Sequence, residues 1–176
     1  MIESATLALN AKKLALLIII GIVSYSVSGQ TNIVKGKKYN YSIRISSSFS
    51  PQIPSGKHID LKYADDNGNS IIVNISDRLP EEYAYTAHDY TKEILESSIK
   101  QGSPTFQILK TEKILVSGEK AYLIVYTVSA NDMKSMECYF FHKDRAFVIT
   151  ASTSISDFQS YESAFLASIK SIKLLE

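Results

Sequence analysis

The sequence predicts an α+β domain, a mostly antiparallel β-sheet covered by helices in an α/β/α sandwich, behind an export leader. Three observations carry this expectation. Period-two runs are separated by short turns, two amphipathic stripes repeat at helical spacing, and one apolar stretch near the start follows paired lysines.

The leader comes first. Lys12 and Lys13 precede the charge-free apolar run Leu14 to Val23, which gives way to small polar residues up to Gly29. A basic segment, an apolar segment and a small-residue cleavage region in that order make a signal peptide. Val27 and Gly29 stand three and one positions before the expected cut, leaving Gln30 as the new N-terminus. The apolar run falls short of the roughly 20 residues that span a bilayer, so no stable membrane anchor is expected after cleavage. Residues 1–29 are read as signal peptide, 30–38 as a flexible polar lead-in, and 39–176 as a single domain. The expected location is periplasmic or extracellular.

Within the domain, Tyr39, Tyr41, Ile43 and Ile45 alternate with polar residues, a half-buried strand that Pro51 and Pro54 close. Runs at 58–63 and 70–75 flank Asn67-Gly68, a pair that tolerates the positive φ of a hairpin turn. From Thr86 to Gln101 the apolar residues Ala87, Tyr90, Ile94, Leu95 and Ile99 repeat at helical spacing, and Gly102 with Pro104 stops the helix. This helix is expected to lie on the sheet.

Four strand-like runs follow, at 105–116, 120–129, 134–142 and 145–153, joined by separators too short for anything but antiparallel neighbours. Tyr122, Ile124, Tyr126 and Val128 share one face of their run, as do Met136, Cys138 and Phe140 of theirs, while Leu123, Val125, Tyr139 and Phe141 take the opposite faces. Apolar side chains on both faces predict a sheet covered on both sides. The chain closes on a helix whose stripe is Phe158, Tyr161, Phe165, Ile169 and Ile172. Ser156 with Gln159 has the spacing of a capping box, and Lys170 and Lys173 suit the negative helix end.

An opening YxYxIxI strand before a Pro-containing loop, then a hairpin, a helix, a meander and a last helix running to IKSIKLL, resembles the PsbP-like family over about residues 36–175. That family holds an extrinsic subunit of photosystem II, a nuclear import factor that binds Ran, and bacterial envelope proteins. The resemblance implies an α/β/α sandwich around an antiparallel sheet and a non-catalytic accessory or binding role. It carries over no functional residue.

Charge removes one class of function. Taking Glu3, Lys12 and Lys13 from 18 acidic and 19 basic residues leaves 17 of each, so the mature chain offers no basic footprint for nucleic acid. With one cysteine there is no disulfide framework. No GxSxG elbow, HExxH helix, phosphate-cradling glycine loop or CxxC pair occurs. The reading is therefore an exported non-catalytic accessory or binding protein of the cell envelope, with no cofactor and with a protein or small ligand as partner.

The segment best suited to a ligand or partner surface is Leu79 to Tyr90, where Tyr83, Tyr85, His88 and Asp89 sit beside Glu81 and Glu82. Tyrosines there supply rigid contact area with a polar handle. An envelope hydrolase whose acid and base converge in that segment is the alternative. A divalent-metal-binding module on Asp65, Asn67 and Asn69 is the third reading. Those residues have D-x-N-x-N spacing, but Ser70 and Ser76 stand where an EF-hand loop needs Gly and Glu. His58 and Asp60 share a strand face. Cys138 and His142 do too, but about 13 Å of strand separates them, too far for a thiol–imidazole pair.

Overall fold

The computed structural model describes residues 30–79, 97 and 105–175. Alternation of apolar and polar side chains commits most of this chain to strands. In order these are β1 (Thr31–Lys35), β2 (Tyr41–Ser46), β3 (Ser50–Pro51), β4 (Ile59–Ala64), β5 (Ser70–Ile75), β6 (Phe106–Val116), β7 (Glu119–Val128), β8 (Met133–His142) and β9 (Arg145–Ser154). The helix α1 (Phe158–Lys170) and a two-residue strand β10 (Lys173–Leu174) close the chain.

Seven strands form one sheet in the order β3-β4-β5-β9-β8-β7-β6, and β1-β2-β10 form a second. Every pairing between them is antiparallel. The β6–β9 meander follows from its turns. Ser117 and Gly118 close Val116 onto Glu119 with φ of 53° and 86°, the mirror-image turn whose twist suits a hairpin and which glycine adopts without strain. The Asn67-Gly68 hairpin is likewise present, with Gly68 at φ 83° and the register Ala64↔Ser70.

Helix α1 and the small sheet lie side by side on one face of the large sheet. Between the layers sits the main core: Tyr41, Ile43 and Ile45 from β2 and Phe158, Phe165 and Ile169 from α1 meet Val73, Val125, Phe140 and Ile149 of the large sheet. Cys138 is fully enclosed there, and burial, then the charge of Glu137, pushes its thiol up to about 12. It is a small core residue with no thiolate to offer. Among the described residues, no buried side-chain nitrogen or oxygen lacks a hydrogen-bond partner.

The expected cover of helices is corrected. What stands is a mostly antiparallel α+β fold in which the one bounded α-helix among the described residues shares its layer with β1, β2 and β10. Period two reports that β2 is half-buried but not which sheet it joins, because one of its partners, β1, has no apolar period of its own and the other, β10, is sequence-distant. Of the helix predicted over Thr86 to Gln101, Ser97 alone is described, and it is helical.

Two smaller expectations also change. The lead-in is no loose arm: β1 pairs with β2 from Thr31↔Ser46 to Lys35↔Ser42. The capping box at α1 does not form. Asp157 is the N-cap without a side-chain cap bond, and the Ser156 hydroxyl bonds Ser154 Oγ at 2.9 Å instead.

Candidate functional site

The other face of the large sheet carries a second apolar cluster. Phe106 of β6 and Tyr122, Ile124 and Tyr126 of β7 are buried there, with Ile108, Val128, Tyr139 and Phe141 packed at the margin. The register sets Glu137 of β8 beside Ile124 on one side and Thr150 on the other, and Ser135 between Tyr126 and Ser152. Directly paired residues share a face. A carboxyl group therefore stands in the middle of an aromatic surface.

Its surroundings are polar at short range only. Tyr126 Oη donates to Glu137 Oε2 at 3.2 Å and Thr150 Oγ1 donates to the same oxygen at 3.1 Å. The Ser135 and Ser152 hydroxyls bond each other at 2.8 Å. Burial raises the Glu137 carboxyl above the ordinary carboxylate range, against the pull of the Thr150 and Tyr126 hydroxyls. Tyr126 is raised too, by burial first and by the charge of Glu137 second. Among the described residues no lysine, arginine or histidine forms an ion pair with Glu137. A carboxyl so placed can accept a proton, or a hydrogen-bonding or cationic group of a ligand, at low desolvation cost to the ligand's apolar parts.

The sign of its pH dependence follows. Because the folded carboxyl titrates above the unfolded one, the folded chain holds a proton that the unfolded chain has released, and stability falls as pH rises from about 4.5 through the folded midpoint. Glu137→Gln lacks this loss. Relative to the parent, the variant is expected to gain between pH 4 and pH 7, by up to about 1.4 kcal/mol for each pH unit separating the two midpoints. Urea melts at both pH values read the gain, and an equal difference at both would refute the assignment.

The residues singled out from the sequence fare unequally. Tyr83, Tyr85, His88 and Asp89 lie outside the described residues. Asp65, Asn67 and Asn69 are brought together, as a hairpin tip bonded to itself. Asp65 Oδ1 accepts from the amides of Asn67 and Asn69 at 3.0 and 2.9 Å, and Oδ2 accepts from Asn69 Nδ2 at 2.7 Å. Tyr161 Oη adds a 3.4 Å bond to Oδ2, and Thr153 Oγ1 donates to Asn69 Oδ1. Among the described residues no three of His, Cys, Asp and Glu gather as metal ligands would.

His58 and Asp60 part company. His58 Nδ1 stands 3.9 Å from an Asp77 oxygen at the surface, whereas Asp60 is buried against Tyr41. His142 bonds Glu119 Oε1 at 2.8 Å. Glu137 was overlooked in the sequence, and a signal for it exists: it is the one acidic residue of Met133–His142 and is in phase with Tyr139 and Phe141.

A seven-stranded antiparallel sheet with a helix and a three-stranded sheet on one face defines the class, an α+β domain whose second, aromatic face carries the Glu137 carboxyl. The fold is the PsbP-like one. No family model and no curated protein sequence matches the chain. Among solved structures, cyanobacterial PsbP (CyanoP) from Synechocystis is similar over 88% of this chain and 99% of its own, at TM-score 0.65 and 14% identity. A mutant of the protein Mog1 is similar over 84% of this chain and 97% of its own, at TM-score 0.55 and 8% identity. LpqN of Mycobacterium tuberculosis is similar over 82% of this chain and 90% of its own, at TM-score 0.51 and 11% identity. What is shared at such identities is the fold.

Proposed function

We propose that the chain is an exported, non-catalytic accessory or binding protein of the cell envelope, and that it binds a small ligand that reaches the largely buried aromatic cluster around Glu137. The observation that carries the reading is that, among the described residues, no second acid, imidazole or thiol shares hydrogen bonds with that carboxyl. Its neighbours are tyrosine, threonine and serine hydroxyls that hold it in place, and the register puts neither a second acid nor an imidazole or thiol beside it. Acid–base and nucleophilic catalysis need such a second group within hydrogen-bond reach. Recognition needs only a rigid aromatic lining with a fixed polar point.

Three further facts support it. The first residues carry a leader pattern, and a cut before Gln30 leaves β1 whole, with the Gln30 carbonyl accepting from the Ser47 amide at 2.7 Å. Among the described residues no helix is long and apolar enough to cross a membrane. LpqN, similar in fold, is described as involved in cell envelope biogenesis.

Fractionation of the source cells with mass spectrometry of the purified chain tests export. The expected product begins at Gln30 and leaves the cell with the envelope fraction; a cytosolic chain still carrying Met1 would overturn export. Turnover on a hydrolase substrate panel that disappears in Glu137→Gln would overturn the non-catalytic reading.

A further inference from the structure

β6 is the longest described strand, with 11 residues, and it ends the seven-stranded sheet. Among the described residues its one strand neighbour is β7. The backbone donors and acceptors along its outer side therefore have no strand to meet in that set, and such a row is a template for another strand. Its side chains show two further features. Leu109 and Leu115 are 48% and 65% exposed. Lys110 and Glu112 project on the same side of the strand, with Nζ and Oε2 2.9 Å apart and both side chains about half in solvent.

We propose that β6 pairs antiparallel with β6 of a second copy of the chain about a two-fold axis through Thr111. Two edge strands that continue one sheet antiparallel are related by an axis perpendicular to it, so each residue meets one on its own face and the axis passes through a residue position. An axis at position 110, 112 or 113 sets Lys110, Glu112 or Lys113 against itself. The axis at Thr111 sets Lys110 opposite Glu112 of the second copy and Glu112 opposite its Lys110. Each lysine then lies between two glutamates, its own and its neighbour's, and four charges close into one ring.

The same geometry fixes how strong the pairing is. Leu109 is an extra residue against β7, the register shifting between Ile108 and Lys110, and such a bulge bends the strand away from a long flat ladder. The straight ladder is therefore confined to residues 110–112 of each copy. An interface that small gives a reversible dimer with a dissociation constant in the micromolar to millimolar range.

Sedimentation velocity on the protein as purified, over a wide range of concentrations, reads the equilibrium. The parent is expected to shift from monomer to dimer as concentration rises. Lys110→Glu and Glu112→Lys each place like charges opposite one another and are expected to weaken the dimer by about tenfold or more. The double variant Lys110→Glu/Glu112→Lys restores opposite charges in this register alone and is expected to dimerise like the parent. Both positions are exposed, and thermal melts of the single variants check that the fold survives. A parent that stays monomeric up to millimolar concentration would overturn the proposal. So would a dimer that ignores the single reversals, or a double variant that fails to recover it.

Discussion

Asp60→Ala is expected to cost about 3–5 kcal/mol, because it leaves three buried or half-buried donors without their acceptor. The Asp60 side chain is 1% exposed. Its Oδ2 accepts from the Lys37 amide at 3.0 Å and from Tyr41 Oη at 2.9 Å, and its Oδ1 accepts from the Lys38 amide at 2.7 Å. Burial, and after it the charge of Asp60, holds the Tyr41 hydroxyl far above its ordinary range, so it stays a donor. These bonds tie the turn between β1 and β2 to β4. Gly36 lies in that turn so close to Tyr41 that an added Cβ would stand 2.3 Å from its ring, which leaves the turn little room to rearrange. Asp60→Ala therefore releases β1 as well as the hydroxyl. At about 2–4 °C per kcal/mol for a domain of this size, the melting temperature should fall by roughly 6–20 °C. Tyr41→Phe removes one donor and keeps the acceptor, and is expected to cost about 1–1.5 kcal/mol. An Asp60→Ala loss no larger than that would mean that the clamp is not what orders the turn.

The same carboxylate shows where the sequence stops being legible. Alternation places His58 and Asp60 on one face and Leu61 on the other. A bulge between Ile59 and Leu61 breaks the count, so Asp60 and Leu61 are both buried. A bulge is set by what the strand packs on, and nothing local in HIDLKY announces it. The lead-in is hidden for a related reason: QTNIVKGKK has no apolar period of its own and is ordered by the β2 backbone and by Asp60. The meander is the opposite case. Runs read at 105–116, 120–129, 134–142 and 145–153 are observed as Phe106–Val116, Glu119–Val128, Met133–His142 and Arg145–Ser154, because alternation and two-residue turns are local properties. Glu137 lies between these cases. Its phase along β8 is readable, but its meaning depends on Tyr126 and Thr150 arriving from the strands on either side.

Phe147→Ala, the other change of this size, acts where the two layers meet. The Phe147 ring stacks on Phe140 at 5.0 Å and 11°, and stands edge-on to Tyr41 at 5.8 Å and 89°. Tyr39 approaches it at 6.5 Å and is held in turn by Arg145, whose guanidinium lies 4.8 Å over the Tyr39 ring and donates to Tyr39 Oη at 3.1 Å. Removing the ring opens a cavity among groups fixed from both sides, so little of it can close. The expected cost is about 3–5 kcal/mol, against about 1–2 kcal/mol for Phe147→Leu, which refills most of the volume. Tyr41 touches both this ring and Asp60, so the two large losses are not independent. Once Asp60→Ala has freed the Tyr41 hydroxyl, the phenol can shift toward the Phe147 cavity. The double variant should then cost less than the sum of the singles, by about 0.5–3 kcal/mol in a cycle of urea melts. Strict additivity would place the clamp and the aromatic contact in separate units, and Tyr41 would no longer be the side chain that binds the small sheet to the large one.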